Sequence, residues 1–220
     1  MDHADAADNI ITLYVDGAEV WDQHRSSSGH FFEQPWLDKF LRLVRPAGHI
    51  LDIGCGAGKP IAEYFLQQQF AVTGIDASAP MIARCRERFP ASRWQVADMR
   101  TLQLDATFDG LLAWDSFFHL TRDHQRQMFK RFARHARPGA PLMFTSGPDD
   151  GEAIGTFLDQ PLYHASLAHD EFRMEMQAVV GHLTAGRLQP QNHAGPGNGR
   201  CVCRRSDTCG FRVCCRPDTA

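Results

Sequence analysis

The fold is decided by the stretch Leu51-Asp52-Ile53-Gly54-Cys55-Gly56-Ala57-Gly58. It completes a short apolar run, His49–Gly54, and leads into a helical pattern over Ala57–Gln68, so it indicates a strand, a tight turn and a helix. Glycine at such a turn lets the backbone approach a ligand, because no side chain stands in the way. The spacing differs from the G-x-G-x-x-G pattern of nicotinamide-binding proteins, which would place a glycine where Lys59 stands.

Strands and helices alternate after this stretch. Further strands are predicted over Ala71–Asp76, Arg93–Asp98, Gly110–Asp115 and Ala140–Ser146, and helices over Ala79–Arg88, Thr121–Ala136 and Asp170–Val180. This order predicts parallel strands joined by right-handed crossovers. The expected fold class is therefore α/β, a doubly wound and mostly parallel sheet with helices on both faces.

Four carboxylates fall at or near the carboxyl ends of the first four strands: Asp52, Asp76, Asp98 and Asp115. Ligands of open α/β sheets bind along that edge. Asp76 lies 20 residues beyond Gly56, a spacing at which an acid accepts hydrogen bonds from a ribose diol. A row of acids repels phosphates, but it attracts a ligand that carries a sulfonium, an ammonium and a ribose. The pattern therefore favours S-adenosylmethionine over NAD or ATP.

These segments together resemble the class I S-adenosylmethionine-dependent methyltransferases that act on small molecules. Leu51–Gly58 looks like their first motif, and Gly74-Ile75-Asp76-Ala77-Ser78 with Met81 looks like the second. Ala97-Asp98-Met99 resembles the adenine-contacting motif. The fourth motif is matched by Phe108–Gly110, Trp114–Ser116 and His119-Leu120. The resemblance covers residues 10–183 and implies a Rossmann-like methyltransferase fold.

The resemblance implies cofactor contacts for one set of residues: Tyr14, Arg25, Trp36, Asp52, Gly54, Cys55, Gly56, Gly58, Asp76, Ala77, Met81, Ala97, Asp98, Met99, Trp114 and Asp115. Within it, Asp52 would hold the amino group through water, Asp76 the ribose hydroxyls and Asp98 the adenine amino group. Tyr14 and Arg25 would meet the methionine carboxylate. The alternative interpretation is packing, with the aromatic members in the core, Arg25 on the surface and Cys55 as a small filler.

Two residues are candidates for catalysis. His119 or Asp115 would orient or deprotonate the methyl acceptor, since a base is needed only where the acceptor must lose a proton. The alternative for His119 is a purely structural role. The polar stretch 148–166, with its acids and with Tyr163 and His164, either recognises a cationic acceptor or forms a solvated loop.

The domain organisation is predicted from a change in composition. Residues 1–183 would form the methyltransferase domain, with residues 1–46 as a helical lid. The lid would contain an amphipathic helix over Ile10–Arg25 and a second helix that begins at Pro35. Residues 184–220 hold five of the seven cysteines and are rich in Arg and Gly. We expect there a loosely ordered tail, with no standard zinc spacing and with C-terminal strands that are atypical or missing. Segments Arg200–Arg205 and Gly210–Arg216 could pair as short strands. We hypothesise a shifted reading frame for this tail.

Composition excludes several function classes. The net charge of -3 argues against a nucleic-acid partner, and no apolar run is long enough to predict a membrane span. The acidic start predicts no secretory signal, so a cytoplasmic location is expected. The expected partner is a small-molecule acceptor, with no metal and with the oligomeric state open. Alternatives are a non-catalytic S-adenosylmethionine-binding or interaction protein and, less favoured, a nicotinamide-dependent oxidoreductase.

Overall fold

The structure, a computed structural model, describes residues 2–27, 31–181 and 200–204. The helices are α1 (His3–Asp8), α2 (Ile10–Asp16), α3 (Ala18–Ser27), α4 (Gln34–Leu41), α5 (Ile61–Gln67), α6 (Ala79–Arg88), α7 (Arg122–His135) and α8 (His169–Gly181). The strands are β1 (His49–Ile53), β2 (Ala71–Asp76), β3 (Arg93–Val96), β4 (Gly110–Ala113), β5 (Pro141–Thr145), β6 (Gly151–Phe157), β7 (Gln160–Ser166) and β8 (Arg200–Arg204). Strands β1 to β5 and α6 follow the predicted segments to within two residues at each end.

One six-stranded sheet organises the chain, in the order β3-β2-β1-β4-β5-β8. The first five strands are parallel and β8 is antiparallel to β5. Strand order reverses between β1 and β4, where open α/β sheets form a crevice at the carboxyl ends of the strands. The predicted doubly wound, mostly parallel sheet is confirmed.

Apolar side chains cover both faces of the sheet. One core cluster includes Leu51, Ile53 and Leu111 together with residues of α7 and α8. The other includes Ile50 and Leu112 together with residues of α4, α5 and α6. Central strands buried on both faces read as continuous apolar runs, as β4 and β5 do. Because helices cover both faces of the sheet, a ligand site is expected at the ends of the strands.

The single N-terminal helix predicted over Ile10–Arg25 is wrong, because the chain is divided there into α2 and α3 and is preceded by α1. The division falls at Gly17, where a Cβ atom would lie 2.5 Å from the ring of Phe157. Glycine therefore lets another part of the chain approach the backbone. The break also removes the common face that was predicted for Tyr14 and Arg25.

Residues 148–166 are not only a polar loop, since they contain the antiparallel hairpin β6–β7. The hairpin lies outside the main sheet. Its Tyr163 and Ala165 pack against Ala6 and Ala7 of α1. β6 is largely exposed, so its sequence shows little of the apolar alternation by which a strand is predicted.

The C-terminal segment supplies one strand to the sheet. β8 pairs with β5 from Pro141↔Arg204 to Thr145↔Arg200, within the segment Arg200–Arg205 that was predicted as a possible short strand. The second short strand predicted over residues 210–216 lies outside the described residues. No helix in the described part of the chain is long and apolar enough to cross a membrane.

Candidate active site

The glycine loop after β1 is closely packed against the loop after β4. Gly54 has φ 77°, and a Cβ atom there would lie 2.3 Å from Cβ of Ser116. The Ser116 hydroxyl donates a 2.7 Å hydrogen bond to the carbonyl of Ile53. Both the backbone conformation and the close approach therefore require glycine at position 54.

Asp76 fastens the same loop from β2. Its Oδ2 accepts from the backbone N–H of Gly56 at 2.9 Å, and its Oδ1 accepts from that of Ser78 at 2.8 Å. Burial raises the pKa of Asp76, while these two hydrogen bonds oppose the rise. A carboxylate is thus held at the end of β2 beside a bend free of side chains.

Asp52 lies deeper, on β1. Its side chain is buried, and among the described residues none donates a hydrogen bond to its carboxylate. Burial, and secondly the charge of Asp76, raise the pKa of Asp52 to about 7. A buried carboxyl with such a pKa is poised to ionise when a cation binds nearby.

A cleft, named here the glycine-loop cleft, opens at these strand ends and has a volume of about 120 Å³. Eleven of the residues predicted from the sequence line it: Tyr14, Gly54, Gly56, Asp76, Ala77, Met81, Ala97, Asp98, Met99, Asp115 and His119. The sheet edge therefore brings together members of every predicted motif.

Six predicted contacts do not line this cleft. Asp52 lies behind it, Cys55 and Gly58 face Cys85 and neighbouring side chains, and Trp114 is buried in the core. Arg25 forms an ion pair with the buried Glu33, and Trp36 contacts Lys39. For Arg25 the reason is the helix break at Gly17, which turns α3 away from the face of α2.

Other residues of the cleft were not predicted from the sequence: Asp8, Ile10, Ile11, Ser78, Arg100, Ser116, Leu120, Thr121 and His124. Arg100 matters most, because its guanidinium donates a 2.8 Å hydrogen bond to Asp98 Oδ2. Asp98, and more weakly the charge of Asp8, raise the pKa of Arg100. Asp98 also accepts from the backbone N–H of Arg100 at 2.8 Å. The two-residue spacing Asp98-Met99-Arg100 is the sequence signal that could have indicated this pair.

A second and larger cavity, named here the hairpin cavity, has a volume of about 720 Å³. Its walls come from the loop after β5 and from β6 and β7, and it shares four residues with the glycine-loop cleft: Tyr14, Trp21, Asp115 and His119. Asp115 has φ 48°, and its backbone N–H donates to the Thr145 hydroxyl at 2.8 Å. A strained residue at a cavity junction is a common mark of a functional site.

His119 is held at this junction by two hydrogen bonds, one at each ring nitrogen. Nδ1 lies 2.8 Å from the carbonyl of Tyr163, so Nδ1 carries the proton and donates it. Nε2 lies 2.9 Å from the Tyr14 hydroxyl and accepts from it. Burial lowers the pKa of His119 to about 3, so the ring is neutral near pH 7.

Helices α2 and α3, which belong to the predicted lid, lie beside the glycine-loop cleft and are fastened to α6. The Ser78 hydroxyl donates to the carbonyl of Tyr14 at 3.1 Å. Asp22 on α3 accepts from Arg88 at 2.6 Å and from Arg84 at 3.2 Å. The Phe157 ring of the hairpin stacks on Tyr14, with 5.5 Å between centroids. Lid, α6 and hairpin therefore meet around the shared residues.

Comparisons with known proteins agree with this geometry. Residues 50–139 match the family model described as a methyltransferase domain. An O-methyltransferase of Pyrenophora dematioidea is 29% identical over 194 residues, which are 82% of this chain and 70% of that protein. A malonyl-[acyl-carrier protein] O-methyltransferase of Salmonella typhimurium is 31% identical over 140 residues, 62% of this chain. The match spans 53%, about half, of the length of this second relative.

A solved structure shows the same fold. It is that of the 1,6-didemethyltoxoflavin-N1-methyltransferase of Burkholderia thailandensis with bound 1,6-didemethyltoxoflavin and S-adenosylhomocysteine. The TM-score is 0.63 at 19% sequence identity, with 91% of this chain and 87% of that chain covered. At this identity the likeness establishes a common architecture, and the roles of single residues must come from their own surroundings.

Proposed function

We propose that this chain is a class I S-adenosylmethionine-dependent methyltransferase that transfers a methyl group from that cofactor to a small-molecule acceptor in the hairpin cavity. The observation that carries the proposal is the junction of the two cavities at Asp115, Tyr14 and His119. A cofactor cleft and an acceptor cavity that share a wall bring two reactants together, which is the main contribution a protein makes to such a displacement.

The residues of the glycine-loop cleft fit S-adenosylmethionine. Gly54 and Gly56 leave the loop free of side chains, and a Cβ atom at Gly56 would have only Trp21 nearby, at 3.6 Å. The lining carries the acids Asp76 and Asp98, so it suits a cationic nucleoside without phosphates. The cleft volume of about 120 Å³ is smaller than small-molecule sites usually are, and outward movement of the predicted lid to admit the cofactor is part of the proposal.

Three acids at this edge of the sheet have separate tasks in the proposal. Asp76 would accept from the ribose hydroxyls with the lone pairs that Gly56 and Ser78 leave free. Asp52 would ionise beneath the loop to balance the amino group. Asp98, fixed by Arg100, would present its outer edge toward the adenine, with Ala97 and Met99 beside it.

When bound, S-adenosylmethionine supplies an electrophilic methyl group on a sulfonium. Asp115 and His119 would then orient the acceptor at the junction of the cavities. His119 is a weak base because burial keeps its pKa near 3, so orientation is the role we assign to it. Tyr14 and Trp21 would exclude water from the same point, since aromatic rings of the lid close over it.

The proposal extends to location and partner. The thiols of Cys55 and Cys85 are free and adjacent, and both donate to the carbonyl of Gly56, at 3.6 and 3.2 Å. Free cysteines are typical of proteins in a reducing compartment, so a cytoplasmic location is part of the proposal. Among the described lining residues of both cavities, Arg100 is the one Arg or Lys, which supports a small-molecule acceptor over a nucleic acid.

Calorimetric titration of the full chain with S-adenosylhomocysteine, and separately with NAD, tests the proposal. Saturable binding of S-adenosylhomocysteine without binding of NAD is the expected result. Binding of NAD alone would contradict it and support an oxidoreductase. Binding of S-adenosylhomocysteine with no methyl transfer to any acceptor class would leave a non-catalytic binding protein.

A further inference from the structure

The hairpin cavity has an unusual charge distribution. Four carboxylates line it, those of Asp115, Asp149, Asp150 and Glu152, whereas its described lining residues include neither Lys nor Arg. The cavity volume of about 720 Å³ is in the range of small-molecule sites. The negative charge of the cavity lining therefore comes from several side chains and not from a single residue.

Part of this negative charge is neutralised by neighbours outside the cavity. Asp150 forms a 2.6 Å ion pair with Arg122, and Glu152 contacts His3 at 2.8 Å and the Tyr163 hydroxyl at 2.9 Å. Asp149 has no ion-pair partner among the described residues. The net charge of the side chains that line the cavity is therefore negative.

The two histidines of the cavity do not reverse this balance. His119 is wholly enclosed and its Nδ1 proton is already donated to the carbonyl of Tyr163. His164 lies beside it, with 5.0 Å between ring centroids, and a positive charge on its ring would balance only one of the four carboxylates. The buried hydroxyl residues Thr145, Ser146 and Ser166 add uncharged hydrogen-bonding groups to the wall.

Resting on the function proposed above, we propose that the acceptor bound in the hairpin cavity carries a primary or secondary amine, and that the chain methylates nitrogen and rejects carboxylate acceptors. A carboxylate acceptor would enter against four acidic side chains. An ammonium is attracted by them and gives one proton to solvent before it reacts. The acids therefore select at the binding step.

The same charges act at the transfer step. The lone pair of the neutral amine forms the new N–C bond while the S–C bond breaks, and the electron pair of the broken bond stays on sulfur. The nitrogen thereby gains a positive charge, which Asp115 and the neighbouring carboxylates stabilise. With a carboxylate or phenolate acceptor the oxygen would lose negative charge instead, and the acids would give no such advantage.

Two matched pools test this, one of small primary and secondary amines and one of carboxylic acids of similar size and shape. Each pool is incubated with the full chain and methyl-deuterated S-adenosylmethionine, and the products are identified by mass spectrometry. Labelled N-methyl products without methyl esters are the expected result. Methyl esters from the acid pool would overturn the inference, and so would the absence of N-methyl products from a protein that binds S-adenosylhomocysteine. A protein that does not bind S-adenosylhomocysteine would instead contradict the proposed function.

Two variants sharpen the test. Asp149→Asn removes a charge from the cavity rim, and Asp159→Asn removes one from the hairpin tip outside the cavity, at φ 57°, which Asn tolerates. For an amine substrate we expect Asp149→Asn to raise KM about threefold to tenfold, with weaker salt dependence than the wild type. Asp159→Asn should leave KM unchanged, and both should keep their affinity for S-adenosylhomocysteine. Equal KM values for both variants would contradict selection by the cavity charges.

Discussion

The hydroxyl of Tyr14 donates a hydrogen bond to Nε2 of His119 across 2.9 Å, joining the lid to the loop after β4. The two residues are 105 positions apart in the chain. Both line the glycine-loop cleft and the hairpin cavity. This single bond therefore fixes the orientation of the His119 ring relative to α2 at the junction of the two cavities.

Replacing Tyr14 with Phe should slow methyl transfer. The ring would still stack on Phe157, but Nε2 of His119 would lose its donor, and we expect turnover to fall about tenfold. Steady-state kinetics give the measurement, and circular dichroism verifies that the variant is folded. An unchanged turnover in a folded Tyr14→Phe protein would show that this hydrogen bond has no part in transfer.

His119 should make stability depend on pH. Burial lowers the pKa of His119 to about 3 in the folded protein. As the pH falls below about 6.5, the unfolded chain therefore takes up a proton on His119 that the folded chain does not. The free energy of unfolding is therefore at its full value above pH 6.5. It decreases as the pH falls, by about 2 kcal/mol between pH 6.5 and 5. Urea unfolding at pH 7 and at pH 5 measures it. His119→Gln should show a smaller difference between these pH values, because other groups such as His135 still titrate in both proteins.

Asp52 should make cofactor binding depend on pH. Its pKa is raised to about 7, so below that pH it must lose a proton before it can balance the amino group. Affinity for S-adenosylhomocysteine should rise with pH by up to about tenfold per unit below pH 7 and should level off above it. Calorimetry from pH 5.5 to 8.5 tests this. In Asp52→Asn the increase of affinity with pH should be smaller than in the wild type. If affinity depends on pH in the same way in both proteins, groups other than Asp52 cause the increase.

Loosening the lid should speed cofactor exchange. Asp22→Asn weakens the contacts of α3 with Arg84 and Arg88 on α6, and Asp16→Asn alters an exposed residue of α2. We expect dissociation of S-adenosylhomocysteine to become about fivefold faster in the first variant, with about 2 kcal/mol of stability lost. Stopped-flow fluorescence of Trp21 follows the dissociation. The Asp16→Asn control should match the wild type, and equal rates in all three proteins would mean that these contacts do not hold the lid.

The two cleft glycines should differ in their sensitivity to alanine. At Gly54 a Cβ atom would lie 2.3 Å from Cβ of Ser116, and at Gly56 the nearest atom would be 3.6 Å away. Gly54→Ala should therefore destabilise the fold by at least about 2 kcal/mol, since it adds a clash to a left-handed φ. Gly56→Ala should cost less stability but should weaken binding of S-adenosylhomocysteine. Thermal unfolding and calorimetry separate the two effects, and the reverse order of stability would contradict the packing described here.

The sequence predicts the sheet and its acidic edge because both depend on local patterns. Short apolar runs, or in β3 an alternation of polar and apolar residues, define β1 to β5, and Asp76 and Asp115 follow from strand ends alone. The break at Gly17 could not be predicted in this way. It depends on the approach of Phe157, which is 140 residues away in the chain.

Ion pairs between residues of different segments could not be predicted from the sequence either. Arg25 was expected in the cofactor site, yet a buried Glu33 binds it, and only the folded chain shows that this acid is enclosed. The hairpin β6–β7 was also uncertain, because β6 is largely exposed and gives no apolar alternation. Elements that are stabilised by distant parts of the chain leave little trace in their own sequence.

The most direct measurement is a crystal structure of the full chain with S-adenosylhomocysteine. The result we predict places the ribose hydroxyls on Asp76, the adenine beside Ala97–Met99, and the sulfur at the junction with the hairpin cavity near Asp115. A nucleoside bound in the hairpin cavity, or away from the glycine loop altogether, would contradict the assignment of the two cavities.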